Sequence, residues 1–123
     1  GSVYIAPGDK HLAIKNFQGT LKTHVFEGEL VNHHRPAVEI LFNSVNHCCG
    51  QHALAFILTG MGRDGAQGLL AIKKSGGLTF AQDKNSSLVY GMPGEAMRLG
   101  AAYSDISLDH IGPFISRFAN LDK

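Results

Sequence analysis

The sequence lacks the features that mark several large classes of protein. Basic residues exceed acidic ones by only one, with 11 lysines and arginines against 10 aspartates and glutamates. Without a basic patch, a nucleic-acid partner is not expected. No apolar run approaches the roughly 20 residues of a membrane-spanning helix, so membrane insertion is not expected either. With 123 residues, 44% of them hydrophobic, the chain is predicted to form one compact domain or part of one.

Cysteine is also scarce, and its placement excludes an ordinary intramolecular disulfide. The two cysteines, Cys48 and Cys49, are adjacent in the chain, and adjacent cysteines rarely reach normal disulfide geometry. Two free thiols predict a reducing, cytoplasmic setting. The spacing of His47, Cys48, Cys49 and His52 matches no common zinc arrangement. We therefore expect no metal and no cofactor.

The pattern of predicted secondary structure changes near Arg35, from β-like segments to alternating helices and strands. The segments 3–6, 11–15 and 21–26 favour β structure, and the last two predict an antiparallel hairpin. The second part is expected to begin with a helix that opens at Pro36 and ends at Gly50. Leu88, Met92 and Met97 are assigned to a later helix, and Asp109 is the expected N-cap of the last one.

Apolar strands separate these helices. Segments 53–58, 78–81 and 101–106 are the predicted strands, and the first of them is continuously apolar, as a strand buried on both faces should be. This alternation predicts an α/β fold, a doubly wound, mainly parallel sheet with helices on both faces. Functional loops are then expected at the carboxyl ends of the strands.

The turn at residues 59–65 (TGMGRDG) lies at such a strand end and leads into a helix. Its three glycines permit a tight turn. Asp64 is expected at the start of the following helix, where exposed N–H groups and the helix dipole favour a carboxylate. A positioned carboxylate at a strand end is suited to orient a catalytic histidine.

Three interpretations of this turn remain open. Asp64 could simply cap the following helix, since aspartate is a preferred N-cap. The pattern Gly60-x-Gly62-x-x-Gly65 also matches the dinucleotide-binding G-x-G-x-x-G, and Asp83 falls near the spacing of the ribose-binding acid. Against a dinucleotide stands Asp64 itself, because a carboxylate would repel pyrophosphate at the helix N-terminus. The third interpretation is the acid of a hydrolase triad.

Several separated motifs together resemble the catalytic domain of CheB-type chemotaxis methylesterases. Segment 59–65, with the Ala and Gly that follow, is similar to the family's TGMGxDGAxG signature. Segments 3–9 (VYIAPGD), 34–38 (HRPAV), 81–83 (AQD) and 90–93 (YGMP) resemble further family motifs in the same order. Ala37 replaces the usual Ser, and Glu39 the usual Asp. The resemblance runs from Val3 to about Asp109.

The resemblance implies a parallel α/β fold and a protein-glutamate methylesterase that also deamidates glutamines on methyl-accepting chemoreceptors. It identifies Asp64 as the triad acid. It places Met61, with the flanking Gly60 and Gly62, beside the oxyanion pocket. A position of His11 at the border of the cleft, and a contact of Arg63 with acidic receptor side chains, are weaker implications, with surface positions as the alternatives. The family's receiver domain, phosphorylated by the chemotaxis histidine kinase, is an implied partner.

The chain contains no G-x-S-x-G elbow. In the family the serine lies in a GASTGG turn and the histidine in an HMP turn, both upstream of the VYIAPGD segment. Residues 1–123 are therefore predicted to be the C-terminal part of the catalytic domain, with residues 1–2 a tag remnant and the receiver domain absent. We expect this chain alone to be inactive. A non-catalytic fragment kept for interaction or self-association is the alternative, since missing strands would leave an unpaired edge.

Overall fold

The computed structural model describes residues 1–121. Within that range a two-stranded sheet precedes a three-stranded sheet, and four helices pack around them. The elements in chain order are β1 (His11–Phe17), β2 (Thr20–Phe26), α1 (Val38–Cys49), β3 (Leu54–Ile57), α2 (Ala66–Lys74), β4 (Leu78–Gln82), α3 (Met92–Arg98), β5 (Ser104–Ile106) and α4 (Leu108–Leu121). In this range no helix combines the length and the apolar character needed to cross a membrane.

The predicted N-terminal hairpin is confirmed. β1 and β2 pair antiparallel from His11 opposite Phe26 to Phe17 opposite Thr20. Gln18 and Gly19 form the connecting turn with positive φ angles of 53° and 85°, the combination that matches the twist of antiparallel strands.

The expectation of β structure for segment 3–6 is wrong. Val3 and Ile5 are 91% and 87% exposed, and no strand of the described chain pairs with them. A run of apolar residues becomes a strand only where a neighbouring strand accepts its backbone hydrogen bonds.

The second sheet is parallel, in the order β3-β4-β5. The crossover helices α2 and α3 bury one face, where Ile57 joins Leu69 and Ile72 in the core. On the other face the rings of Phe56 and Phe80 meet Phe114 of α4, with the Phe80 and Phe114 ring centroids 4.8 Å apart. The α/β fold with helices on both faces of a parallel sheet is thus confirmed.

Several helix boundaries differ from the sequence-based expectation. α1 begins at Val38 rather than Pro36, after an extended Ala37 that makes no side-chain cap bond. Leu88 is 92% exposed and lies in the loop before α3. α4 begins at Leu108, which places Asp109 in the first turn rather than at the cap. α1 begins late because distant side chains, described below, supply the acceptors for its first N–H groups.

Candidate active site

The glycine-rich turn that follows β3 is held in place by two later segments of the chain. The Thr59 N–H donates to Gln82 Oε1 at 2.8 Å, and Thr59 Oγ1 bonds to both backbone groups of Val89. The Gly60 N–H donates to the Val89 carbonyl, and the Met92 N–H donates to the Gly60 carbonyl at 2.9 Å. Gln82 of the AQD segment and residues 89–92 therefore form a clamp on the turn, which fixes its backbone at the carboxyl edge of the sheet.

Two glycines of the turn have left-handed conformations but different surroundings. Gly62 has a φ of 88° and open space around the position of a Cβ atom. Gly65 has a φ of 90°, and a Cβ there would lie 2.6 Å from Val38 Cγ1. Gly62 is therefore required by backbone conformation alone, whereas Gly65 also permits the close approach of α1 to α2.

Asp64 caps α1 rather than the helix that it precedes. Its side chain is 3% exposed. The Val38 N–H donates to Oδ2 at 2.7 Å, and the Glu39 N–H donates to Oδ1 at 3.2 Å. The Asn32 side-chain amide adds a bond to Oδ1 at 3.0 Å. The expected position of the carboxylate at the start of its own helix is wrong, because the left-handed Gly65 turns the chain after Asp64.

Glu39 of α1 lies in turn at the N-terminal end of α2. Burial raises the pKa of the Glu39 carboxyl, and the nearby Asp64 charge raises it further, while the backbone N–H groups of Gly65 and Gly68 lower it. The starts of α1 and α2 lie side by side, since Gly65 contacts Val38 and Gly68 contacts Phe42. Each helix start is thus met by a carboxyl group that belongs to the other segment. The N–H groups at the start of α1 bind the Asp64 carboxylate, whereas those at the start of α2 offset only part of the cost of burying Glu39.

The hydrogen bonds of Asp64 leave it one direction for a further partner. A carboxylate offers about four acceptor positions, and among residues 1–121 three are used, two on Oδ1 and one on Oδ2. One acceptor position, on Oδ2, remains. Asp64 borders a cleft of about 260 Å³. The cleft is lined by Asn32, His33, His34, Gly62, Arg63 and Asp64. This arrangement can orient a single N–H donor, such as an imidazole, that enters the cleft.

Met61 and Arg63 project from the same turn. The Met61 residue is 79% exposed, and Arg63 lines the Asp64 cleft. Arg63 also borders a second, charged cleft of about 470 Å³. There Glu95 accepts two bonds from Arg98, at 2.9 and 2.6 Å, and these bonds, together with the charge of Arg63, lower the pKa of Glu95. The two clefts share Arg63 and Asn32, so they form one continuous surface.

His11 lies away from the cleft at Asp64, buried at 1% exposure. Its Nδ1 accepts the Ala37 N–H at 3.3 Å, so Nε2 carries the proton and donates to the Glu29 carbonyl at 2.7 Å. The imidazole therefore serves the same helix start as Asp64, since Ala37 directly precedes Val38. In this position His11 supports the scaffold behind the carboxylate.

The glycine pattern of a dinucleotide site is present, but its surroundings are unsuitable for a pyrophosphate. The charge at the start of α2 is that of Glu39, not that of Asp64 as the sequence suggested. Asp83 is bonded to Ser86 through the Ser86 N–H and hydroxyl, and the pKa of Asp83 is lowered, chiefly by the hydroxyl. The repulsion argument therefore holds, but with a different carboxylate.

The thiol groups of Cys48 and Cys49 bond to different parts of the chain. The Cys48 thiol donates to the Ile14 carbonyl and the Cys49 thiol to the Val45 carbonyl, both at 3.3 Å. Cys48 thus connects α1 to the hairpin, while Cys49 bonds within its own helix. Burial, followed by the neighbouring Cys48, raises the pKa of Cys49, so the thiol form of Cys49 is favoured.

Sequence reasoning missed Asn32 as a partner of the candidate acid and gave Glu39 no role. Asn32 could have been inferred, because asparagine adopts a left-handed turn more readily than most residues other than glycine and also carries a donor. Its pairing with Asp64, however, joins residues 32 positions apart. No local pattern encodes a contact of that separation.

Comparison with known proteins finds relatives in sequence and in fold. A family model described as CheB methylesterase matches residues 1–115. The chain is 48% identical over 109 residues to a protein-glutamate methylesterase/protein-glutamine glutaminase 2 of Shewanella sp. (strain MR-4), covering 89% of this chain and 31% of the relative. It is 47% identical over 121 residues to a protein of the same description, numbered 1, from Caulobacter vibrioides, covering 98% of this chain and 35% of the relative.

A solved structure is similar over almost the whole chain. The CheB methylesterase catalytic domain of Thermotoga maritima superimposes with a TM-score of 0.87 at 33% sequence identity, covering 96% of this chain and 61% of that domain. The chain spans about a third of the length of the curated relatives named above.

Proposed function

Because this chain belongs to the CheB methylesterase family, we propose that it forms part of a catalytic domain that hydrolyses γ-glutamyl methyl esters, and deamidates glutamines, on bacterial chemoreceptors. The observation that carries the proposal is the geometry of Asp64. Its carboxylate is buried, held by three donors and bordered by a cleft at the carboxyl end of a parallel sheet. That is the setting in which ligand sites of open α/β sheets are found.

In this proposal Asp64 is the acid of a Ser-His-Asp triad. An imidazole N–H that donates to the remaining acceptor position of Oδ2 would be held in one tautomer, and the carboxylate would stabilise the imidazolium that forms as the serine attacks. The serine and histidine would come from the part of the catalytic domain that precedes this chain in the family. The prediction that residues 1–123 alone are inactive rests on this assignment of the serine and the histidine to another part of the domain.

The turn itself is proposed to shape the oxyanion pocket through the backbone at Gly60, Met61 and Gly62. Support comes from the clamp on Thr59 and Gly60, because a pocket for a developing negative charge has to be fixed before the reaction begins. The exposed Met61 side chain and Arg63 would face the receptor segment that carries the ester.

The cellular setting follows from the same family membership. We propose methyl-accepting chemoreceptors as partners and a receiver domain, phosphorylated by the chemotaxis histidine kinase, as the regulatory part of the full-length protein. Cys48 and Cys49 are both free thiols, which supports a reducing compartment such as the cytoplasm.

The proposal is tested by Asp64→Asn in the full-length protein. The rate of methanol release from methylated receptor is expected to fall about 10³- to 10⁴-fold, by analogy with a serine protease triad, in which the same change lowers kcat about 10⁴-fold. Rates are expressed per folded molecule, so that loss of stability does not imitate loss of catalysis. A folded variant with a near-native rate would remove Asp64 from the mechanism.

A further inference from the structure

A tight turn at residues 31–34 carries Asn32 to the candidate acid. Val31 and His34 exchange two backbone hydrogen bonds, at 3.0 and 2.9 Å. Between them Asn32 and His33 both have positive φ angles, of 52° and 68°. Non-glycine residues adopt this conformation at a cost and keep it only where the surrounding structure holds them there. The position of the Asn32 side chain is therefore set by the backbone of the turn.

The contact of Asn32 with Asp64 is directional. An ionised carboxylate only accepts hydrogen bonds, so the amide group of Asn32 must present its NH₂ end to Oδ1, at 3.0 Å. The other two donors to Asp64 both come from the backbone of α1, at Val38 and Glu39. Asn32 is thus the donor of this set that approaches from outside the helix.

The hydrogen bond from Asn32 determines which oxygen of the Asp64 carboxylate is left free for a partner in the cleft. The bonds from Asn32 and Glu39 occupy both acceptor positions of Oδ1, which leaves Oδ2 to face a partner in the cleft. Without Asn32 the Oδ1 atom would keep only the longer bond, at 3.2 Å, to the Glu39 N–H. The plane of the carboxylate would then be free to rotate toward the opened acceptor position.

We propose that Asn32 is a positioning residue, which fixes the plane of the Asp64 carboxylate and so assigns Oδ2 to the catalytic histidine. The inference rests on the proposed triad role of Asp64. Because Asn32 acts through Asp64 and does not touch the reacting atoms, its loss should slow the chemical step and leave substrate binding unchanged.

The test compares two variants of the full-length protein that keep the left-handed turn. Asn32→Gly removes the amide and tolerates a positive φ. Asn32→Asp keeps the size of the side chain but replaces the donor by a second carboxylate. Gln18→Gly is the matched control, because Gln18 also has a positive φ, of 53°, in the tight turn of the hairpin and lines neither cleft.

Asn32→Gly is expected to lower kcat for methylated receptor about 10- to 100-fold, with KM within about 2-fold of the native value, since a small misplacement of a catalytic group has effects of this size. Asn32→Asp should lower kcat at least as much, and Gln18→Gly should change neither constant. Should Asn32→Gly fail to fold, the Asn32→Asp variant still decides the question.

Two results would overturn the inference. One is a native kcat in folded Asn32→Gly and Asn32→Asp, and the other is an equal loss in the Gln18 control. Asp64→Asn, measured beside them, separates the two proposals. If Asp64→Asn lowers turnover as expected while both Asn32 variants keep a native kcat, the positioning role alone is wrong. If Asp64→Asn retains turnover, the triad assignment is wrong.

Discussion

Asp64 and Glu39 each place a carboxyl group at the N-terminus of the other's helix. The carboxylate of Asp64, which precedes α2, accepts the first backbone N–H groups of α1, and the carboxyl group of Glu39, in α1, lies against the N–H groups at the start of α2. Asp64 is thereby buried at the edge of the candidate active site, and among residues 1–121 no basic side chain forms a salt bridge with it. The helix N-termini supply the compensation that a salt bridge would otherwise give.

The first prediction concerns the stability of Asp64 variants. Asp64→Asn should lower the free energy of unfolding of the chain by about 1–3 kcal/mol, because the NH₂ end of asparagine would face one of three donors and leave it without an acceptor. Urea unfolding measures this loss. Asp109→Asn, in the first turn of α4, is the matched control at an exposed site. If Asp64→Asn loses no more stability than the control, Asp64 acts as a helix cap that asparagine can replace.

The second prediction separates the two left-handed glycines of the turn. Gly62→Ala should lower the free energy of unfolding by about 1–2 kcal/mol, the cost of the left-handed conformation. Gly65→Ala should lower it by about 1–3 kcal/mol more, because its Cβ would lie 2.6 Å from Val38 Cγ1 and push α1 away from α2. Thermal unfolding of both variants tests this order. Equal losses would mean that the close approach of the helices is unimportant.

The third prediction is a pH dependence due to Glu39. Burial raises the pKa of Glu39 above its ordinary value of 4.5, so between that value and the raised one the native state holds more protons than the unfolded state. Stability from this group is therefore present below pH 4.5 and is lost as the pH rises through the folded pKa. Glu39→Gln removes the titration and should gain stability relative to the native chain over this range.

The measurement for Glu39 is the unfolding free energy of both proteins from pH 4 to pH 8. The exposed Glu27→Gln variant controls for the loss of one negative charge. A difference between native and Glu39→Gln proteins that stays constant across the whole range would contradict the prediction.

The fourth prediction concerns self-association of the chain. β3 pairs only with β4 within the described residues, so its other edge presents unpaired backbone groups, and Leu58 at its end is 43% exposed. Such an edge favours pairing with another copy. Light scattering over a dilution series should show a mass that rises with concentration. A monomer at every concentration would mean that the edge is protected.

Part of this fold could be predicted because its causes are local. The apolar segment around Ile57 and the glycines of the turn gave the strand, the turn and the following helix correctly. Segment 3–6 shows the limit of such reasoning, since Val3 and Ile5 favour strand formation by residue type but have no strand beside them here. The start of α1 was misplaced for a related reason, because its caps come from His11 and Asp64.

The sequence by itself determined the α/β class, the glycine-rich turn and the family resemblance, and it pointed to Asp64 as the candidate triad acid. Each of these follows from residue types at short separations, which fix backbone freedom and local charge. Only the tertiary structure decided which helix Asp64 caps, that Asn32 donates to Oδ1 of Asp64, and that Glu39 rather than Asp64 faces the start of α2. Those contacts join residues about 25 to 32 positions apart, and they form only when α1 packs against α2 and brings the two helix starts together.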